Sequence, residues 1–183
     1  DFGLPIAPGT LQNLKSCPID DRTWNDESRS LFLRLLASGP ALLQVWEEID
    51  FVDIPGRLIP EWLAIRNRPS ASAAHRYTID RHSVEVVTRL GRETPRGNRY
   101  DDRHYQALLL AGILHDVGKR PGVADHAAEG ARHASMVLKR MGFDRDIIWW
   151  VTLLVREHLT LSEFATGQNP NDPNVGDELA SRL

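Results

Sequence analysis

The chain predicts an all-α fold. Apolar residues recur at helical spacing in almost every segment, and no run of alternating apolar and polar residues is bounded by hairpin turns. Candidate caps and Gly or Pro stops bracket the apolar segments. At 183 residues the chain is long enough for one well-buried core and too short for two full domains side by side. One globular helical unit is therefore expected.

Taken in order, residues 1–22 are Pro-rich and read as irregular. Thr23 or Asn25 then caps a helix through Leu31-Phe32-Leu33-Arg34-Leu35-Leu36, which Gly39-Pro40 ends. A second helix follows at once with Leu42, Leu43, Val45 and Trp46, and Pro and Gly punctuate the stretch from Pro55 to Pro69. From Asp80 a helix runs through Ser83-Val84-Glu85-Val86-Val87 to near Gly91, before a polar loop over residues 92–100. Asp101 or Asp102 restarts the helix that carries Leu108 to Leu114. Asp125 is the expected N-cap of an Ala-rich helix to Met141, with Gly142-Phe143 as its left-handed stop and apolar follow-on. Asp144 caps the next helix, and the stretch Gly167 to Pro173 reads as a loop before a short final helix. No internal repeat or low-complexity tract is evident.

Composition excludes several function classes. Twenty-two Lys and Arg against 25 Asp and Glu give a net charge of -3, so there is no global attraction for nucleic acid or an anionic membrane. Phosphate recognition must then be local. The lone Cys17 rules out an internal disulfide framework and a Cys cluster for zinc, which fits a reducing cytoplasm. No apolar run reaches membrane-spanning length, so no membrane is expected as partner. The start Asp1-Phe2-Gly3-Leu4-Pro5 has neither an initiator Met nor the regions of a signal peptide, and the chain is expected to be an excised piece.

The dipeptide His115-Asp116 closes the apolar run Leu108 to Leu114 and puts two metal-ligand types where water is scarce. A carboxylate at the end of a core helix costs several kcal/mol unless a cation or hydrogen bonds compensate it. Tyr105, Leu109, Gly112 and Asp116 form one stripe, and Lys119 can converge with His115 and Asp116 at the helix end. A second stripe, Ile147, Val151 or Trp150, and Leu154, ends in His158. His126 and His82 each fall in the first turn of a helix. A lone His on an apolar helix is more often a hydrogen-bonded core residue, but four histidines and one aspartate in this arrangement point to a metal. Imidazole with carboxylate suits manganese, iron or zinc, and a bridging carboxylate makes room for two ions. His75, His104 and His133 are read as bystanders, although His133 lies seven residues after His126 and can face the same cleft.

The order His82, His115-Asp116, His126, His158 resembles the HD superfamily of helical metal-dependent phosphohydrolases. More specifically, it is similar to the HD domain of the bacterial GlnD family, bifunctional uridylyltransferases and uridylyl-removing enzymes acting on the nitrogen-signalling protein PII. His75-Arg76-Tyr77-Thr78-Ile79-Asp80-Arg81-His82 is close to that family's His-x-Tyr-Thr-Val-Asp-x-His, and Leu114-His115-Asp116-Val117-Gly118-Lys119 to its Leu-His-Asp-Ile-Gly-Lys. Asp125-His126, Leu154-Val155-Arg156-Glu157-His158-Leu159, Phe32 to Gly39 and Leu58-Ile59-Pro60-Glu61-Trp62 also match, so the likeness spans most of the chain.

The resemblance implies an HD helical bundle over residues 71–183, preceded by a smaller helical linker over residues 1–70. It implies hydrolysis of the phosphodiester between a PII tyrosine and a nucleoside monophosphate, uridylyl or adenylyl. His82, His115, Asp116 and His158 would hold at least one divalent ion (Mn, Mg, Fe or Zn) that activates water, with Asp116 bridging a second. His126 would ligate that second ion or orient phosphate, and Lys119 would neutralise charge developing on the phosphoryl oxygens, making Asp116, Lys119 and His126 the catalytic set. No nucleotidyltransferase Gly-Ser motif and no ACT domains are found, so flanking domains of both kinds are implied in the parent protein.

One segment departs from the pattern. After Ala165 the family reads Thr-Arg-Arg-Asp where this chain has Thr166-Gly167-Gln168-Asn169, so neutral Asn169 replaces the closing Asp. Asp172, in a separate Asp-Pro, is the candidate substitute ligand. Two other readings therefore stand beside the first: a hydrolase of free or cyclic nucleotides, and a regulatory HD domain without turnover.

Overall fold

The computed structural model describes residues 5–19, 24–70, 77–93, 102–169 and 172–182. Among them every regular element is helical, and an isolated antiparallel bridge between Pro69 and Thr78 is the only β contact. This is the all-α class that the apolar spacing predicts.

The first helix, α1 (Pro8–Ser16), corrects the expectation of an irregular start. Pro8 occupies the first turn, where a preset φ and a missing N–H cost nothing. The helix buries no residue fully, and its free C-terminal carbonyls are satisfied from far along the chain. Arg57 donates to Leu14 O and Lys15 O, each at 3.1 Å, and to Cys17 O. A helix held in this way leaves little amphipathic signature.

Asn25, one of the two expected caps, starts α2 (Asp26–Leu36) in a reciprocal capping box with Ser28; Thr23 lies outside the described residues. Gly39 turns the chain at φ +61° into α3 (Pro40–Phe51). The Pro- and Gly-punctuated stretch is more ordered than its composition suggests, forming α4 (Ile54–Leu58) and a 3-10 helix (Pro60–Ala64). Its prolines begin short helices rather than breaking them, and Ile59, Trp62 and Ile65 are buried at 1% exposure or less.

The later helices are α5 (Ile79–Glu93), α6 (Arg103–Leu114), α7 (His126–Arg140), α8 (Arg145–Arg156), α9 (Thr160–Gly167) and α10 (Pro173–Arg182). Residues 92 and 93 of the expected polar loop belong to α5, and 94–100 lie outside the described residues. Asp102 caps α6, Asp125 caps α7 and Asp144 caps α8, each carboxylate accepting from backbone N–H groups of the first turn. The alternative Asp101 lies outside the described residues. The stop at Gly142 is a Schellman motif: φ is +74°, Phe143 N–H donates to Leu138 O at 3.0 Å, and Gly142 N–H to Lys139 O at 3.1 Å. No sequence signal singles out α9.

Helix α6 lies in the middle of the bundle, in contact with α2, α5, α7 and α8. One hydrophobic core joins the first seventy residues to the rest, with Leu36, Trp62 and Ile65 in the same cluster as Leu109, Val137 and Val151. Each fully buried Leu, Ile or Val contributes about 2 kcal/mol. Arg140 on α7 donates twice to Glu61 of the 3-10 helix, at 3.0 and 2.6 Å, tying the halves together at the rim. No helix among the described residues is long and apolar enough to cross a membrane.

Candidate metal centre

The stripe predicted on α6 is buried: Tyr105 is 8% exposed, Leu109 0% and Asp116 1%, with Gly112 also buried. The helix ends at Leu114, His115 is its C-cap, and Val117 N–H and Lys119 N–H close tight turns onto Leu114 O and Asp116 O at 3.1 and 2.9 Å. This turn passes directly against the start of α7. A Cβ on Gly118 would stand 2.3 Å from both Gly130 N and His126 O, so only glycine allows the approach that sets His126 beside the α6 terminus.

On α8 the expected stripe needs one correction. Leu154 is 40% exposed, and Val155 is the buried residue, following Ile147 and Val151 at steps of four. The core-facing line therefore drifts with the 3.6-residue period, and His158 falls three places beyond Val155. His82 reaches the same point from the first turn of α5.

Two groups of ligand atoms result, His82, His115 and Asp116 in one and Asp116, His126 and His158 in the other, each with its atoms within 4.8 Å of one another. Asp116 belongs to both. The imidazoles surround it as a chain of edge-to-face contacts, with ring centroids 5.3 Å apart for His82–His115, 5.3 Å for His115–His158 and 5.5 Å for His126–His158.

Two backbone carbonyls determine which imidazole nitrogen faces inward. His115 Nδ1 lies 2.9 Å from Gly112 O and His158 Nδ1 lies 2.7 Å from Val155 O. A carbonyl only accepts, so each Nδ1 carries the proton and each Nε2 of a neutral ring presents a lone pair. Those Nε2 atoms stand 3.3 and 3.6 Å from the two oxygens of Asp116. Lone pairs facing an anion repel, and a cation held among them converts every one of these contacts into attraction. Asp116 Oδ1, His126 Nε2 and His158 Nε2 are also buried without a hydrogen-bond partner among the described residues, a costly state that coordination removes. The nitrogen and oxygen donors fit a first-row divalent ion, and outward Nδ1–H bonds of this kind orient metal-binding imidazoles.

Burial raises the Asp116 pKa, and His115, His158 and Lys119 lower it below the usual carboxylate range when the two rings are protonated on the Asp116 side. With neutral rings and inward lone pairs, Lys119 is the cation left on the carboxylate, and a bound metal ion takes the place of the two ring protons. Lys119 Nζ donates to Asp116 Oδ2 at 2.8 Å. Burial and the Lys119 charge push His126 below its ordinary value, which keeps it neutral and available as a ligand.

The remaining candidates lie elsewhere. Asp172 is exposed, and its carboxylate accepts from the backbone and side-chain nitrogens of Asn174, both at 2.9 Å, at the start of α10. Asn169 is exposed as well. His104 packs on Trp150, and buried His133 lies 2.9 Å from Glu129, so neither joins the two groups. His75 lies outside the described residues.

Two clefts open beside the centre. One, of about 420 Å³, is walled by Val86, Leu108, Ala111 and Leu154 and exposes His82, His115, Asp116 and His158. The other, of about 880 Å³, is lined by Arg66, Arg68, Arg120, Lys119 and His126, with no carboxylate lining it among the described residues. The three arginines were not singled out by sequence reasoning. The signals for them are the Arg66-Asn67-Arg68 triplet beyond the 3-10 helix and an Arg directly after Lys119.

Comparison with known proteins places these features in a family. The HD domain family model matches residues 79–178, which contain all five grouped residues. The bifunctional uridylyltransferase/uridylyl-removing enzyme of Streptomyces coelicolor is 38% identical over 173 residues, covering 93% of this chain and 20% of that protein. Its namesake in Mycobacterium tuberculosis is 35% identical over 184 residues, covering 100% of the chain and 22% of that protein. The one in Caulobacter vibrioides is 32% identical over 155 residues, covering 79% and 16%. The chain thus spans about a fifth of the length of the first two relatives. No solved structure matches it. With its histidines and aspartate in family order on a helical bundle, the chain belongs to the HD domain family.

Proposed function

We propose that this chain is a cytoplasmic metal-dependent phosphohydrolase that removes a nucleotidyl group from a tyrosine of the PII signalling protein. It acts as the HD part of a longer enzyme whose flanking nucleotidyltransferase and ACT domains lie outside this chain. Residues 71–183 carry the chemistry and residues 1–70 form a helical extension sharing their core. The observation that carries the reading is the inward pair of Nε2 lone pairs on His115 and His158, facing both oxygens of a buried carboxylate.

In this reading His82, His115, Asp116, His126 and His158 hold one divalent ion, or two with Asp116 between them. The ion would supply Lewis acidity toward a phosphoryl oxygen and lower the pKa of a water for attack on phosphorus. Lys119, already on Asp116, stabilises negative charge that builds on the phosphoryl oxygens. His126, at the mouth of the larger cleft, orients the phosphate or ligates the second ion. A tyrosine leaving group has a pKa of about 10, so its departure needs less acid assistance than that of an aliphatic alcohol.

The test is metal analysis of the purified protein followed by UMP or AMP release from modified PII. The expected result is bound divalent metal and release that Asp116→Ala abolishes. Equal, slow release by both proteins would leave the regulatory reading, which the neutral Asn169 and the outlying Asp172 favour.

A further inference from the structure

We infer that the arginine-lined cleft is the seat of the nucleotidyl half of the substrate, with Arg68 and Arg120 as its specificity-determining residues. The inference rests on the proposed hydrolysis and adds which way round the diester lies. Lys119 lines both clefts, so a phosphorus at the centre faces one on each side. The two sides differ in chemistry. The smaller is walled by apolar side chains, whereas the larger brings three guanidinium groups to a space with room for a nucleoside.

The guanidinium groups are not equivalent. Arg66 is engaged with Asp50, its Nε 3.0 Å from one carboxylate oxygen, and also approaches Asp53. Arg68 and Arg120 make no side-chain hydrogen bond or ion pair among the described residues. Arg120 Nε is in addition buried without a partner, a desolvated charged donor that calls for an acceptor. Between the first two arginines, Asn67 is held at φ +54°, and its N–H is fixed on Asp80 at 2.8 Å. Asparagine tolerates this left-handed turn, and with the backbone fixed at Asn67 both Arg66 and Arg68 line the cleft. Arginine supplies only donors, and a nucleotide offers them ribose oxygens, base carbonyls or ring nitrogens, and a phosphate edge. Ile79, Val123 and Leu159 give the base apolar surface to lie on.

The experiment titrates UMP and AMP into the manganese-loaded and the metal-free protein and into Arg68→Ala, Arg120→Ala and Arg120→Lys. It also measures hydrolysis of two diesters without polypeptide: the p-nitrophenyl ester of UMP, and bis(p-nitrophenyl) phosphate, which has no nucleoside. Each Ala variant is expected to weaken binding of the preferred nucleotide about tenfold and to lower by a similar factor the ratio of kcat/KM on the nucleotide ester to that on the nucleoside-free diester. Arg120→Lys is expected to fall between, because it keeps the charge and loses the planar fork. Unchanged nucleotide affinity and an unchanged ratio would overturn the inference. So would a loss confined to nucleotide release from modified PII, assayed with the same variants, which would assign the arginines to the polypeptide. Failure of the hydrolysis reading is distinguishable: a metal-loaded protein that cleaves neither diester sinks that reading, and the nucleotide titrations still decide the role of Arg68 and Arg120.

Discussion

The end of α6 and the segment after Ala165 hold two parts of the pattern that the resemblance implies, and they differ in how the fold holds them. Around Asp116 every candidate ligand comes from a helix end packed on the common core, and the carboxylate is 1% exposed. After Ala165 the chain lies on the surface, with Asn169 exposed and Asp172 turned into the cap of α10. Where burial makes an unpartnered polar atom expensive, the residues expected from the resemblance meet in one place; where solvent satisfies any side chain, the chain departs from the expected pattern.

The largest effect that can break this comparison is at Asp116. Asp116→Ala is expected to abolish stoichiometric metal and to lower nucleotide release beyond the ~10–100-fold typical of losing an outer partner of a metal ligand. Elemental analysis and a release assay on the same preparation check it. Asp172→Ala gives the matching control at the other end of the scale, below.

Next is the glycine that lets the two helices meet. Gly118→Ala places a methyl against backbone of α7 rather than against a side chain that can turn away. It is expected to cost about 1–3 kcal/mol or more, read as a lower urea midpoint, and to weaken metal binding by displacing His126. An unchanged midpoint would mean that the turn after α6 accommodates a methyl group without cost and that His126 is placed by other contacts.

The contrast between site and bystander histidines on α7 is sharpened by pH. Burial, Arg120 and Arg132 hold His133 below its ordinary value, so as pH falls below about 6.5 the unfolded chain binds more protons than the folded one. Stability therefore rises with pH across that window and is lost on acidification. Urea titrations in chelator should show this slope, to which His126, also held below its ordinary value, adds with the same sign, and His133→Gln should remove part of it while leaving metal content intact.

The smallest effect is expected at Asp172. Replacing it with Ala should cost about 1 kcal/mol or less through the lost cap and change nucleotide release by less than about twofold. A large loss of metal or activity would draw the outer segment into the centre and erase the difference between the two regions.

Much of the fold is legible in local spacing. Asp102, Asp125 and Asp144 each stand one residue ahead of an apolar-periodic run, and each caps the helix expected of it. The stripe ending in Asp116 is legible for the same reason. By contrast, α1, α4 and the 3-10 helix carry no clear local signal because what holds them is distant: Arg57 over the end of α1, and Trp62 and Ile65 in a core built mostly from later helices. Leu154 and Val155 both fit an approximate helical period, and only packing shows that Val155 faces inward.

By itself the sequence determined the helical class, the caps and the ligand types, because hydrogen bonds and side-chain periodicity within a few residues decide those. Tertiary structure alone decided that His82 and His158 meet at Asp116, and that Arg66 and Arg68 meet Arg120 across one cleft. Those outcomes depend on groups roughly thirty to fifty residues apart being brought together by burial of a shared core, and no local spacing encodes that distance.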